Sequence, residues 1–185
     1  MKIRTFICIE LPDSIRTKLG EIQTEMKTLG SSVRWTRSDG IHLTLKFLGD
    51  VEKQNIEQIV EQTIEASRIH SPAKIEVKES GAFPDFKKPR VFWIGVHDPN
   101  GALARLQMAI DTKLDKIGFK KEQRRFSPHL TIGRVKSHDG LNATSRALEE
   151  MNIEPMTFLA KQVVVMQSQL QPKGAVYTPL HIIKL

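Results

Sequence analysis

The chain repeats itself. The tripeptides His42-Leu43-Thr44 and His129-Leu130-Thr131 stand at matching places in two runs of the same elements. In the first run, Arg4 to Pro12 reads as a buried strand closed by a proline; in the second, Arg90 to Pro99 has the same form. Apolar residues then recur at helical spacing. They are Ile15, Leu19, Ile22, Met26 and Leu29 behind the start signal Pro12-Asp13-Ser14, and Leu103, Leu106, Ile110, Leu114 and Ile117 up to Gly118. Phe6 precedes His42 by 36 residues and Phe92 precedes His129 by 37. After each tripeptide come a second helix, Glu52 to Ser67 and about Gly140 to Met151, and another strand, Ala73 to Val77 and Lys161 to Met166. Gly81-Ala82-Phe83-Pro84 and Ala175 to Lys184 add strand and turn material. This pattern predicts a bilobal α+β fold: two pseudo-symmetric lobes, each an antiparallel-type sheet with outer helices, facing a central cleft. The lobes fall at about residues 1–86 and 87–185 of one domain spanning 1–185, and the pattern leaves room for strand exchange between them.

A length of 185 residues suits such a pair of closely joined lobes. Hydrophobic residues at 39% and charged residues at 26% are ordinary for a folded soluble chain, which argues against disorder and collagen-like sequence. No apolar run approaches the roughly 20 residues of a membrane helix, and Met1-Lys2-Ile3-Arg4 opens no signal peptide, so the expectation is a cytoplasmic protein without a membrane partner. The single Cys8 forms no internal disulfide and no zinc site, and mid-strand it is expected to be a buried, inert thiol. The net charge of +7 is concentrated: residues 87–136 hold 12 of the 28 basic residues but 4 of the 21 acidic ones. Such a surplus fits an anionic partner, RNA or a phosphate ester, and equally fits a solvated face.

Strand alternation puts His42 with Thr44, and His129 with Thr131, on one face of each strand, opposite Leu43 and Leu45 or Leu130 and Ile132. If the two polar faces oppose across the cleft, two imidazoles and two hydroxyls converge. One neutral His could take a proton from an attacking hydroxyl or water while the other, protonated, gives one to a leaving oxygen. The Thr hydroxyls could donate to phosphoryl oxygens as charge builds. Histidine suits both roles because its ordinary pKa lies near 6.5. A single His-x-Thr would more often be a structural residue; recurrence within a repeat favours chemistry. A metal centre is the competing use of two histidines, but no Cys pair, His-x-x-x-His or nearby carboxylate cluster completes it, so no metal is expected. His70, His97, His138 and His181 share no such pattern.

The strings His42-Leu-Thr-Leu-Lys-Phe-Leu-Gly49 and Phe126-Ser-Pro-His-Leu-Thr-Ile-Gly-Arg134 resemble the two signature motifs of the 2H phosphoesterases. More narrowly, they resemble the RNA 2′,3′-cyclic phosphodiesterase branch, also called the 2′-5′ RNA ligases. Arg4 to Pro12, Val33-Arg34-Trp35, Pro89 to Val96 and the tail pattern from Ser168 to Tyr177 extend the resemblance over nearly the whole chain. It implies hydrolysis of a terminal 2′,3′-cyclic phosphate on RNA to a 2′-phosphate without cofactor, with His42 as proton donor and His129 as proton acceptor. It also implies ATP-independent 2′-5′ joining as a minor activity at the same site. The two near-symmetric motifs do not themselves distinguish donor from acceptor.

Arg134 resembles the family's arginine after the second motif, where a guanidinium could hold phosphate; strict alternation would turn it to the core, so the role requires a twist or bulge near Gly133. Phe47 is a candidate for stacking on a base, although its parity also matches the apolar side and favours core packing. Arg124 and Arg125, with Lys120 and Lys121, precede the second motif as Arg34 and Arg37 precede the first, so basic residues could flank the cleft and track RNA. Trp35, Phe83 and Trp93 are stacking candidates with core packing favoured. The expected partners are RNA ends or small cyclic-phosphate nucleotides, bound by a monomer. The alternatives are a sibling phosphodiesterase acting on other cyclic or 2′-5′-linked nucleotides, and an RNA-binding module without turnover.

Overall fold

The computed structural model describes residues 1–172 and 174–185. In chain order the elements are β1 (Lys2–Glu10), α1 (Asp13–Lys27), β2 (Val33–Trp35), β3 (His42–Glu52), α2 (Ile56–Ser67), β4 (Ala73–Phe83), β5 (Val91–His97), α3 (Ala102–Asp115), β6 (His129–Val135), α4 (Asn142–Glu149), β7 (Met156–Ala160), β8 (Gln162–Gln171) and β9 (Gly174–Lys184). Position 173, inside the tail pattern, lies outside the described residues. Two sheets form, β3-β1-β8-β9 and β2-β6-β5-β4-β7, and every pairing is antiparallel. The fold is therefore α+β with two antiparallel sheets.

The halves of the repeat interpenetrate. A cut near residue 87 does not separate the sheets. The closing strands β8 and β9 complete the sheet begun by β1 and β3, while β2 and β4 belong to the sheet of β5 and β6. The helices cross over as well: α2 and α3 pack together against the β9 and β3 side, and α1 and α4 lie together near β4. The expected strand at Lys161–Met166 is thus the partner of β1, with Ile7 opposite Val165 and Cys8 opposite Val164.

The apolar run Phe6-Ile7-Cys8-Ile9 is continuous because β1 is covered on both faces. Ile7 and Ile9 join the large core with Leu43, Val163, Val165 and the helix stripes Ile15-Leu19-Met26 and Leu103-Leu106-Ile110-Leu114. Phe6 and Cys8 face the other way, into a small cluster with Val164, Met166 and Tyr177. Cys8 is fully buried, and burial raises the pKa of its thiol, which keeps it protonated and inert. The helix expected from Glu52 begins instead at Ile56, because β3 continues to Glu52 to pair with Lys2. The last helix, expected over about 140–151, is shorter at Asn142–Glu149; Gly140 before it sits at φ +68°.

Two bulges at equivalent places shape the molecule's chemistry. In β3, Cys8 pairs with Thr44 and Ile7 with Lys46, leaving Leu45 extra; in β6, Trp93 pairs with Thr131 and Phe92 with Gly133, leaving Ile132 extra. Each bulge follows its His-x-Thr by one residue and shifts the parity of the residues directly after it. The displaced carbonyl of Ile132 is satisfied from the first half of the chain. It accepts from the Thr36 amide at 2.9 Å and from Nε2 of buried Gln23, on α1, at 2.7 Å. The one-residue difference between the Phe6–His42 and Phe92–His129 spacings has a physical meaning too. Phe6 pairs with Phe47 on the cleft side, whereas Phe92 pairs with Gly133 in the core, so the two are not equivalent in space.

Candidate active site

His42 and His129 are the first residues of β3, the edge strand of its sheet, and of β6, which lies next to the short edge strand β2; the two strands approach each other from the two sheets. Each imidazole is held from behind in the same way. Nδ1 of His42 lies 2.8 Å from the carbonyl of Gly40, and Nδ1 of His129 lies 2.7 Å from that of Ser127. A carbonyl only accepts, so Nδ1 carries the proton and Nε2 is the nitrogen available for proton transfer. The turn before each strand therefore sets both tautomer and ring direction, which is the local work of Gly40 and of Ser127-Pro128.

The aromatic surroundings repeat as well. Phe6 lies over His42, with centroids 4.5 Å apart and planes 26° apart, and Tyr177 meets the ring edge-on at 5.0 Å and 82°. On the other side Phe83 meets His129 edge-on at 5.0 Å and 83°, with Trp93 tilted at 6.2 Å. Burial lowers the pKa of His42; its bond to the Gly40 carbonyl acts in the opposite direction and the charge of Arg16 adds to the lowering. Tyr177 is raised by burial, with the charges of Arg134 and Arg4 pulling it back, which places both arginines around the phenol that touches His42.

Strand parity after the bulges decides the remaining residues. Phe47 shares the face of Phe6, is 53% exposed and lies under the Arg4 guanidinium at 4.6 Å, so its expected core packing is not what the structure has. Arg134, after the second bulge, pairs with Val91 and with Arg34 of β2 on the face of β6 that carries Thr131 and is exposed, rather than turned to the core by strict alternation. A cleft of about 670 Å³ collects Thr44, Phe47, Phe83, Arg90, Arg124, Arg125 and His129. Thr131 is half-buried two residues after His129 and directly opposite Trp93. Of the aromatic candidates, Phe83 and Trp93 reach His129, while Trp35 stacks toward Phe92 over Gly133 and belongs to the core. Arg37 is paired with Asp39 beside a larger hollow of about 1140 Å³ along α1, which holds none of the paired motif residues.

Phe6, Arg4, Arg90 and Tyr177 have no role predicted by the sequence pattern. Their signals were present: Tyr177 is the chain's one tyrosine and closes the tail pattern, and Arg90 opens the second strand string. Gly81 has a comparable hidden role. A Cβ there would lie 2.1 Å from the Trp93 ring, so the indole beside His129 rests flat on the glycine. Gly81→Ala is expected to cost about 1–3 kcal/mol and to lower both the thermal midpoint and turnover; an unchanged midpoint in a melting experiment would refute this packing argument.

The sequence profile of the 2′-5′ RNA ligase superfamily matches residues 11–172. The RNA 2′,3′-cyclic phosphodiesterase of Methanothermobacter thermautotrophicus is 31% identical over 186 residues, covering all of both chains. That of Methanocaldococcus jannaschii is 34% identical over 176 residues, covering 95% of this chain and 96% of its own. The crystal structure of E. coli LigT complexed with 3′-AMP shares the fold, with a TM-score of 0.78 at 24% identity over 100% of this chain and 99% of that one. No helix among the described residues is long and apolar enough to cross a membrane. With the repeated His-x-Thr strands, the two-sheet fold and full-length relatives of this kind in agreement, the chain belongs to the 2′-5′ RNA ligase superfamily.

Proposed function

We propose that the protein hydrolyses terminal 2′,3′-cyclic phosphates of RNA to 2′-phosphates, with His42 as proton donor and His129 as proton acceptor. The carrying observation is the pair of imidazoles on adjoining motif strands, each with Nδ1 committed to a local carbonyl. The shared name of the full-length relatives supports the substrate class. Nε2 of His129 takes a proton from water as its oxygen bonds to phosphorus; the bond from phosphorus to O3′ breaks, and Nε2–H of His42 delivers its proton to O3′. The product keeps the phosphate on O2′. Thr44 and Thr131 donate to the non-bridging oxygens, and Arg134 offsets their charge as a forked donor. Phe47 presents an exposed ring to a base, while Arg124 and Arg125 face the RNA backbone. A 5′-hydroxyl in place of water would give a 2′-5′ linkage as a minor outcome.

The depressed pKa of His42 bears on its role as acid. In the free protein burial favours the neutral ring; a bound phosphodiester brings a negative charge beside it, which raises the pKa and restores the proton. Substrate binding thus shifts the ring toward the protonated form that the acid requires. The deciding experiment is incubation with short RNAs ending in a 2′,3′-cyclic phosphate and identification of the product isomer. A 2′-phosphate, formed equally with and without EDTA, is the expected result. A 3′-phosphate, or cleavage of 2′-5′ oligoadenylates instead, would assign the site to a sibling reaction.

A further inference from the structure

The bulge at Leu45 has an inward consequence. It turns the next residue, Lys46, into the core, where its side chain is 6% exposed. There it forms an ion pair with Asp111 of α3, itself 9% exposed. At the equivalent position after the second bulge stands Gly133, packed under Val33 and Trp35. The strand geometry thus forms without any charge at that place. Burying an ammonium and a carboxylate costs desolvation that their attraction at best offsets, so the pair is a poor device for stability.

What the pair holds is a segment of chain. Residues 116–128 contain no strand or helix, and Lys120 through Arg125 are all exposed. Phe119 and Phe126 tuck against the core at the two ends. Between them two bonds tie this stretch to the pair: Nζ of Lys46 donates to the carbonyl of Lys120 at 2.9 Å, and the amide of Glu122 donates to Oδ2 of Asp111 at 3.0 Å. This stretch carries Lys120, Lys121, Arg124 and Arg125, and its two arginines line the cleft with His129 and Phe47. A basic segment without secondary structure would sample many positions; two bonds to a buried, oriented ion pair restrict them.

We infer that Lys46 and Asp111 are positioning residues that hold the Lys120–Arg125 segment where it engages the phosphate backbone of a single-stranded RNA, so that they set the preference for a polynucleotide over a cyclic mononucleotide. The inference rests on the RNA-end reading above. A mononucleotide offers its cyclic phosphate to the histidines and has no upstream backbone for the segment to meet. Loss of the pair therefore weakens binding of the longer substrate and leaves chemistry intact.

The test compares the wild type with Asp111→Asn and with Lys46→Met/Asp111→Leu, the double variant being apolar throughout so that no unpaired charge is left in the core. Kinetics are measured on a decamer RNA ending in a 2′,3′-cyclic phosphate and on a 2′,3′-cyclic mononucleotide. Amide exchange of the segment and fluorescence-anisotropy binding of an unreactive RNA decamer are measured in parallel. The expected result is faster exchange at Glu122, decamer KM raised about 10-fold at a kcat within about twofold, and mononucleotide constants unchanged within the same margin. The slope of decamer affinity against salt should also become shallower by about 1.4, the equivalent of two backbone contacts on a single strand. Unchanged exchange at Glu122 in the double variant overturns the inference. So does faster exchange with decamer affinity unaltered, or an equal rise of KM for both substrates. If the wild type turns over neither substrate, the RNA-end reading fails by itself, and the anisotropy and exchange measurements still decide the role of the pair.

Discussion

Replacement of His42 or His129 by alanine is expected to lower kcat on a cyclic-phosphate-ended RNA by about 10³-fold, within the range for losing a positioned acid or base. Neither change should unfold the protein, because both rings sit half-buried at the rim of their strands rather than in the main core. A sulfur in place of the bridging O3′ separates the two roles. A thiolate leaves without a proton, so the 3′-thio substrate should restore most of the loss in His42→Ala and little of it in His129→Ala. The reverse rescue pattern would exchange donor and acceptor. An NMR titration supplies the electrostatic half of the test: the His42 pKa, held below its usual value by burial in the free protein, should rise when a phosphate monoester product is bound. A fall on binding would be incompatible with His42 as the acid.

The second large effect is expected at Arg134. It stands on the Thr131 face of β6 opposite Arg34, close enough to Tyr177 for its charge to oppose the rise of the phenol's pKa. Removal of a charge-assisted hydrogen-bonding group at a phosphate costs about 1.5–3 kcal/mol, so Arg134→Ala should reduce kcat/KM by about 10²-fold. Arg134→Lys should recover only part of this, because an ammonium keeps the charge and loses the forked geometry. Steady-state kinetics within twofold of the wild type for the alanine variant would remove Arg134 from the phosphate site and leave it as a solvated surface residue.

Much of the molecule was legible because it depends on local periodicity. The helical stripes, the strand runs and the common face of each His-x-Thr follow from spacings of 3.6 and 2 residues within one element. Strict alternation fails at Phe47 and at Arg134 for one shared reason. A bulge inserts one residue opposite a partner strand and resets parity, and nothing in Leu45 or Ile132 as residues announces it. The phosphate role of Arg134 requires such a reset near Gly133, and the structure puts the extra residue immediately before it, at Ile132.

The repeat in the sequence by itself determined that two histidines and two threonines would lie on equivalent strands, and that the fold would be α+β. Tertiary structure decided which strands share a sheet, because hydrogen-bonded partners are chosen by packing across the whole chain and β8 serves β1 as β4 serves β5. It also decided the environment of each histidine. Phe6 and Tyr177, 171 positions apart in the chain, close on His42 only once β9 has joined its sheet, and Lys46 meets Asp111 only because a bulge turns it inward. Local alternation sets which face a side chain prefers; the register imposed by a distant partner sets which face it has.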